Sequence, residues 1–269
     1  MRLLRTTWLG LLLASFALPV CAQEASVATE TEKETPAVAT KELPSGDKVL
    51  DDFIEATGGK EAMKSIKSVR STGTMKIPTL GLTGPMSVLQ KSPGKFKTVI
   101  EIVGIGEIVQ TVNKDKAWSI DPTQGARLLD GEELESALKE ADFQSSLNRQ
   151  KYYKKIECVD RVDLDGKPAW KVELTKKSGK VETSYYDVNS KLLVMTESVT
   201  PTPLGDIDVK ANMLDYKKIG KFLTPTKVVV EVPPQLGGSR VIEITKVEYN
   251  KDIEDAEFDM PEEVQELVE

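Results

Sequence analysis

Lys95-Phe96-Lys97-Thr98-Val99-Ile100-Glu101-Ile102 is the stretch that decides the fold class. Phe96, Thr98, Ile100 and Ile102 fall on one side of an extended chain, with Lys95, Lys97, Val99 and Glu101 on the other. Period-two alternation of this kind describes a half-buried antiparallel strand. The signature continues outward from it. Ile108, Gln110 and Val112 alternate, Trp118 and Ile120 share a face, and so do Trp170, Val172 and Leu174. Val228, Val230 and Val232, then Ile242 and Ile244, repeat it near the C-terminus. Turn residues separate the runs at Ser92-Pro93-Gly94, Asp165-Gly166, Ser178-Gly179, Asn189-Ser190 and Leu236-Gly237-Gly238. The pattern predicts about eleven strands.

Several strands are apolar on both sides. Leu192 and Val194 oppose Leu193 and Met195, and Val241 and Val247 oppose Ile242 and Ile244. The second face needs a cover of helices, a partner or a ligand. The expected helices are few. One runs from Gly46 to about Gly59, with Val49, Leu50, Phe53 and Ile54 on one face, and a short one covers Glu61 to Ser65. A helical insertion starts at Asp130, with Glu133 in the capping-box position and Leu134 and Leu138 one turn apart. It continues from Ala141 to Tyr153 through Phe143 and Leu147. The order helix, strands, helices, strands predicts a mainly β (α+β) domain, a large curved antiparallel sheet with helices on one face. Too few helices for two apolar faces points to a hydrophobic cavity, with ordinary core packing as the alternative.

The N-terminus reads as an export signal. Arg2 and Arg5 precede an apolar run from Trp8 to Val20, and Val20-Cys21-Ala22 presents a cleavage site after Ala22. Leu18-Pro19-Val20-Cys21 is a poor lipobox, because Val20 stands where Gly, Ala or Ser is needed. A lipid anchor on Cys21 is therefore the minor alternative. Residues 23–45 are rich in Ala, Thr, Glu and Pro, too poor in large apolar side chains to order themselves, and read as a linker. Residues 46–269 form the expected single domain. No later run is long enough for an integral membrane span.

Composition excludes several chemistries. The chain carries −7 formal charge, with no basic cluster, which argues against nucleic acid. It has no histidine, so His-dependent triads, His zinc sites and the usual proton shuttle are absent. Cys158 is the one cysteine after the signal, which excludes an internal disulfide or a Cys-based metal site. It reads as a small core residue beside Ile156 and Val162. No cofactor or metal is expected.

Motif fragments fail on context. Thr57-Gly58-Gly59-Lys60 lacks the first glycine and the Ser/Thr of a phosphate loop. Gly104-Ile105-Gly106 lacks the third glycine of a dinucleotide site. Asp163-Leu164-Asp165-Gly166 has Arg161 and Val172 where a calcium loop needs acids, so it reads as a hairpin turn. Ser92-Pro93-Gly94-Lys95, Ser146-Leu147-Asn148 and Lys177-Ser178-Gly179 echo penicillin-binding enzymes, but Pro93-Gly94 cannot hold Lys95 one helical turn above Ser92. Acidic residues are numerous and no carboxylate pair stands out as that of a glycosidase.

Five internal segments and the C-terminal Phe258-Asp259-Met260-Pro261 carry a resemblance. The segments are Glu55–Met63, Gly125–Glu133, Ala141-Asp142-Phe143, Asp165–Val172 and Tyr186–Val194. In order and spacing they resemble bacterial outer-membrane lipoprotein-sorting proteins of the LolA/LolB-like superfamily, from about Gly46 to Pro261. The resemblance implies a half-open β-barrel of about eleven strands with helices over an apolar concave face. It also implies a periplasmic carrier of lipid or lipoprotein acyl chains. On that basis the expected function is a non-catalytic carrier or receptor for a hydrophobic ligand. An accessory module that binds an envelope protein partner is the alternative. An envelope hydrolase using carboxylates is a third reading. Met86, Phe96, Trp118, Trp170, Met195, Met213 and Val230 are the expected cavity wall.

Overall fold

The computed structural model describes residues 42–200 and 206–267. The signal 1–22, with Cys21, and the linker as far as residue 41 lie outside the described residues.

The chain enters through helix α1 (Gly46–Ala56) and the short α2 (Lys60–Lys64). Ser45 caps α1, its Oγ accepting the Lys48 N–H at 3.2 Å. Gly58 and Gly59, at φ 137° and 87°, end it in backbone that side chains avoid. Six strands follow as a meander: β1 (Ser68–Ile77), β2 (Leu82–Lys91), β3 (Lys95–Ile102), β4 (Gly106–Asn113), β5 (Lys116–Asp121) and β6 (Gly125–Leu128). Helix α3 (Gly131–Glu140) comes next. A second meander then runs through β7 (Tyr153–Leu164), β8 (Lys167–Lys176), β9 (Val181–Asp187), β10 (Leu193–Thr200), β11 (Ile207–Ile219), β12 (Phe222–Glu231) and β13 (Arg240–Tyr249). A 3-10 turn (Asp255–Phe258) and α4 (Glu262–Gln265) close the described chain.

Among the described residues all thirteen strands form one open antiparallel sheet, two more than the pattern suggested. Its order is β6-β5-β4-β3-β2-β1-β13-β12-β11-β10-β9-β8-β7, a curved half-barrel. The two meanders meet only where β1 pairs with β13, as in Met75 opposite Ile242. Both edges resist pairing with other chains: β6 is four residues long, while β7 carries two bulges and exposed charges.

Cross-strand partners define the two faces. Met86, Ile100 and Ile108 stand opposite one another across β2, β3 and β4, and Met213, Val228 and Ile242 across β11, β12 and β13. On this inner face an apolar cluster runs unbroken from Ile100 and Ile102 through Met75 and Ile242 to Val230 and Ala211. Helix α1 covers the β7–β9 end, packing Val49 and Leu50 on Tyr153, Val172 and Leu174. Helix α3 covers the other end, with Leu134, Ala137 and Leu138 on Phe96, Val112 and Ala117.

The outer face of β3–β6 has its own cover, which periodicity did not announce. The C-terminal segment lies across it, with Ile253, Phe258 and Val264 buried. Asn113 Nδ2 donates to the Phe258 carbonyl at 3.0 Å. Lys91 and Lys95 each approach Asp255 at 2.9 Å, and together they hold its carboxyl down at about 2.

Some expectations need correcting. The helix expected from Ala141 to Tyr153 does not form: α3 stops at Glu140, and a single 3-10 turn (Arg149–Lys151) precedes β7. Asp142 explains the stop, because its carboxylate accepts the Gln144 N–H at 2.9 Å and the Tyr152 hydroxyl at 2.8 Å. Asp130 takes the N-cap position without a side-chain cap bond, and Glu133 instead forms a two-pronged pair with Arg127. Cys158 lies partly buried on the inner face beside Ile156, but a bulge at Val159 sends Val162 to the outer face. A bulge at Thr245 brings Val247 to the inner face with Ile242.

Candidate functional site

A cavity of about 340 Å³ lies on the inner face between α1, α3 and strands β8 to β11. Its floor follows from side-chain size. Ser184, Thr196 and Ala211 stand opposite one another on β9, β10 and β11, three small residues in one cross-strand row. The neighbouring row position on β12 is Val230 and on β8 is Val172, so the floor rises on both sides. Leu50, Leu174, Leu193 and Val209 supply apolar wall, and Ser136, Lys139 and Glu140 bring α3 to the opposite side. The volume is within the usual range for small-molecule sites, roughly 300–1,000 Å³.

One end is polar and internally paired. Glu182, only 8% exposed, receives Lys139 Nζ on one oxygen and Lys176 Nζ on the other, each at 2.9 Å. The Tyr153 hydroxyl donates to the same carboxylate. Burial, reinforced by Glu182, pushes the Tyr153 phenol far above its ordinary value, and burial raises Tyr186 as well. Arg149 joins the segment after α3 to α1, reaching Asp47 at 2.5 Å and Asp51 at 3.0 Å. Ion pairs thus hold α3 to the sheet and the segment that follows it to α1.

A second recess of about 650 Å³ adjoins it at the ends of β9 to β12, sharing Glu197, Ser198 and Val209. Strand ends bound it without the two helices. The first cavity, walled by helices as well as sheet, is the better-formed site.

None of the seven residues expected in the wall lines that cavity. Met86, Met213 and Val230 are on the inner face but belong to its central apolar cluster. Phe96 is under α3 and Trp170 under α1. Trp118 and Met195 are on the outer face: Trp118 pairs with Thr111 while its neighbour Ala117 pairs with Val112, and Met195 packs with Tyr185 and Ala169. The cause at Met195 is a bulge at Val194, which puts Leu193 and Met195 on opposite faces. The residues that do form the site, Ser184, Thr196 and Ala211, carry no individual signal. Only their strand register brings them together. Among the described residues no group of His, Cys, Asp and Glu is arranged to hold a metal ion.

Solved structures share this architecture. A DUF1329 family protein from Desulfovibrio piger superposes with a TM-score of 0.55 at 15% identity, over 80% of this chain and 97% of that one. A LolA superfamily protein from Nitrosomonas europaea gives 0.54 at 13% identity, over 81% and 98%. An outer membrane lipoprotein-sorting protein domain from Vibrio parahaemolyticus gives 0.51 at 11% identity, over 79% and 97%. No family model matches the sequence, and no curated protein matches it either. The chain has a LolA/LolB-like fold.

Proposed function

We propose that this chain is a non-catalytic carrier or receptor of the cell envelope that holds a hydrophobic ligand, a lipid or the acyl chain of a lipoprotein, in the inner-face cavity. The observation that carries the reading is the row Ser184, Thr196 and Ala211, which leaves space beneath two helices where larger side chains would have filled the core. Two supports come from elsewhere in the chain. Residues 1–22 read as an export signal, which supports a location in the cell envelope. The fold is also shared with an outer membrane lipoprotein-sorting protein domain, and a lipoprotein carries acyl chains that such a cavity could hold.

Thr196→Trp tests the site. Its neighbours across the sheet are Ser184 and Ala211, so the indole has room to occupy the cavity without displacing a large side chain. Binding of the neutral fluorophore N-phenyl-1-naphthylamine should weaken by about tenfold or more, while the unfolding midpoint moves by only a few degrees. Unchanged probe binding by a folded Thr196→Trp protein would remove the cavity from the proposal. Native mass spectrometry of the protein purified without detergent supplies the cargo class. Added mass of lipid size supports the carrier, and a bound protein with no lipid moves the function to an accessory interaction module.

A further inference from the structure

Among the described residues lining the cavity, one carboxyl group has no direct partner. Glu140 is the last residue of α3 and lines the cavity, and among the described residues no hydrogen-bond or ion-pair partner meets its carboxyl group. The other charged side chains around the cavity are all engaged. Lys139 on α3 is turned to Glu182 on β9, Arg149 before β7 is held by Asp47 and Asp51, and Glu197 on β10 accepts from the Tyr185 hydroxyl at 2.7 Å. Tyr153 and Tyr186 are the remaining titratable groups at its wall, and both phenols are held neutral by burial.

Two physical effects oppose a negative charge at Glu140. Partial burial strips it of water, and the C-terminal end of α3 presents the negative end of the helix dipole. The carboxyl is accordingly pushed up to about 7, burial being the main cause and Lys139 pulling the other way. A cation beside Glu140 would relieve both effects. Ser136 and Ser145 line the same side with hydroxyls able to accept further hydrogens. A primary ammonium has three hydrogens to give, which one carboxylate and two hydroxyls can receive.

We infer that the ligand held in this cavity is a single-chain amphiphile with a primary ammonium head group, which Glu140 receives while the chain lies against Leu50, Leu174, Leu193 and Val209. This assignment rests on the carrier reading above and adds the polar end of the ligand to it.

Calorimetric titration with dodecylamine, dodecanol and dodecanoate, on the wild type and on Glu140→Gln, tests it. Each amphiphile is kept below its micelle concentration. At about pH 8 the wild type should bind dodecylamine at least about tenfold more tightly than Glu140→Gln does, because a charge-assisted hydrogen bond is lost. Dodecanol should bind both proteins alike, and dodecanoate should bind Glu140→Gln better than the wild type. At about pH 5, with Glu140 protonated and the amine still charged, the wild type should fall to the level of Glu140→Gln. Equal dodecylamine affinity in the two proteins, with dodecanol still bound, overturns the head-group assignment and leaves the carrier reading standing. Failure of every amphiphile, dodecanol included, overturns both. Glu140→Gln keeps the side-chain shape and removes an opposed charge, so it should fold, and its circular-dichroism melt verifies that.

Discussion

At the scale of one residue, Glu140 couples the site to stability. Its folded carboxyl sits at about 7 against an ordinary 4.5, a difference worth roughly 3 kcal/mol once the group is ionised. A folded value raised above the unfolded one gives a contribution fully present below 4.5 and lost as the pH rises through about 7. Glu140→Gln should therefore melt higher than the wild type at about pH 8, by roughly 5 °C or more, and show no gain at about pH 4. Melting curves at the two pH values decide it. A gain of equal size at both would mean that the ionised carboxylate is not what costs stability. Nothing in Leu138-Lys139-Glu140-Ala141 announces this. A Glu near the end of a polar helix ordinarily faces water, and what places this one against a cavity is the packing of α3 on β5, a tertiary fact. The small floor residues were equally silent, since Ser, Thr and Ala at strand positions attract no notice until the register aligns them.

At the scale of the elements, the strands and turns were legible because period-two alternation and Gly- or Asn-bearing turns are local signals. Asp165-Gly166, for example, does close the β7–β8 hairpin, with both residues at positive φ. The face each residue takes was less legible, because one extra residue reverses it. Bulges at Val159, Val194 and Thr245 each shift the phase partway along a strand, and no local composition marks them. The assignment of Met195 to the inner wall was lost to one of them. Likewise the C-terminal segment has no long periodicity, yet Phe258 and Val264 are fully buried. Phe258→Ala should cost about 3–5 kcal/mol, since no neighbouring element can collapse into the space of a whole ring. The loss should also be local. Hydrogen exchange should rise in β3 to β6, which the segment covers, before it rises in β8 to β10, on which it does not rest. Uniform acceleration across the sheet would show instead that the segment stabilises the fold as a single cooperative unit.

At the scale of the molecule, the sheet curves around its inner face, and two glycines on that face stand where a neighbouring strand's backbone approaches closely. A Cβ on Gly73 would stand 2.2 Å from the Glu243 carbonyl oxygen, and one on Gly84 only 1.5 Å from that of Glu101. At both places the backbone of the adjoining strand leans into space that a side chain would fill, which is how a twisted sheet is curved inward. Gly73 lies on the β1–β13 seam that joins the two meanders, beside the Thr245 bulge. Gly84 lies on β2, in the arm of the sheet that carries Ile100 and Ile102 into the central cluster. A side chain at Gly84 cannot be absorbed by rotamer change, because the obstructing atom is backbone. Gly84→Val must therefore push β3 away and open the cluster, at a cost of more than about 3 kcal/mol. Thr74→Val, on the outer face of the neighbouring strand, should stay within about 0.5 kcal/mol and serves as the control. Urea denaturation of the two variants measures both. If Gly84→Val were as stable as the control, the close approach of β2 and β3 would not be what sets the curvature. The shape of the cavity floor would then have to come from the β9–β11 side alone.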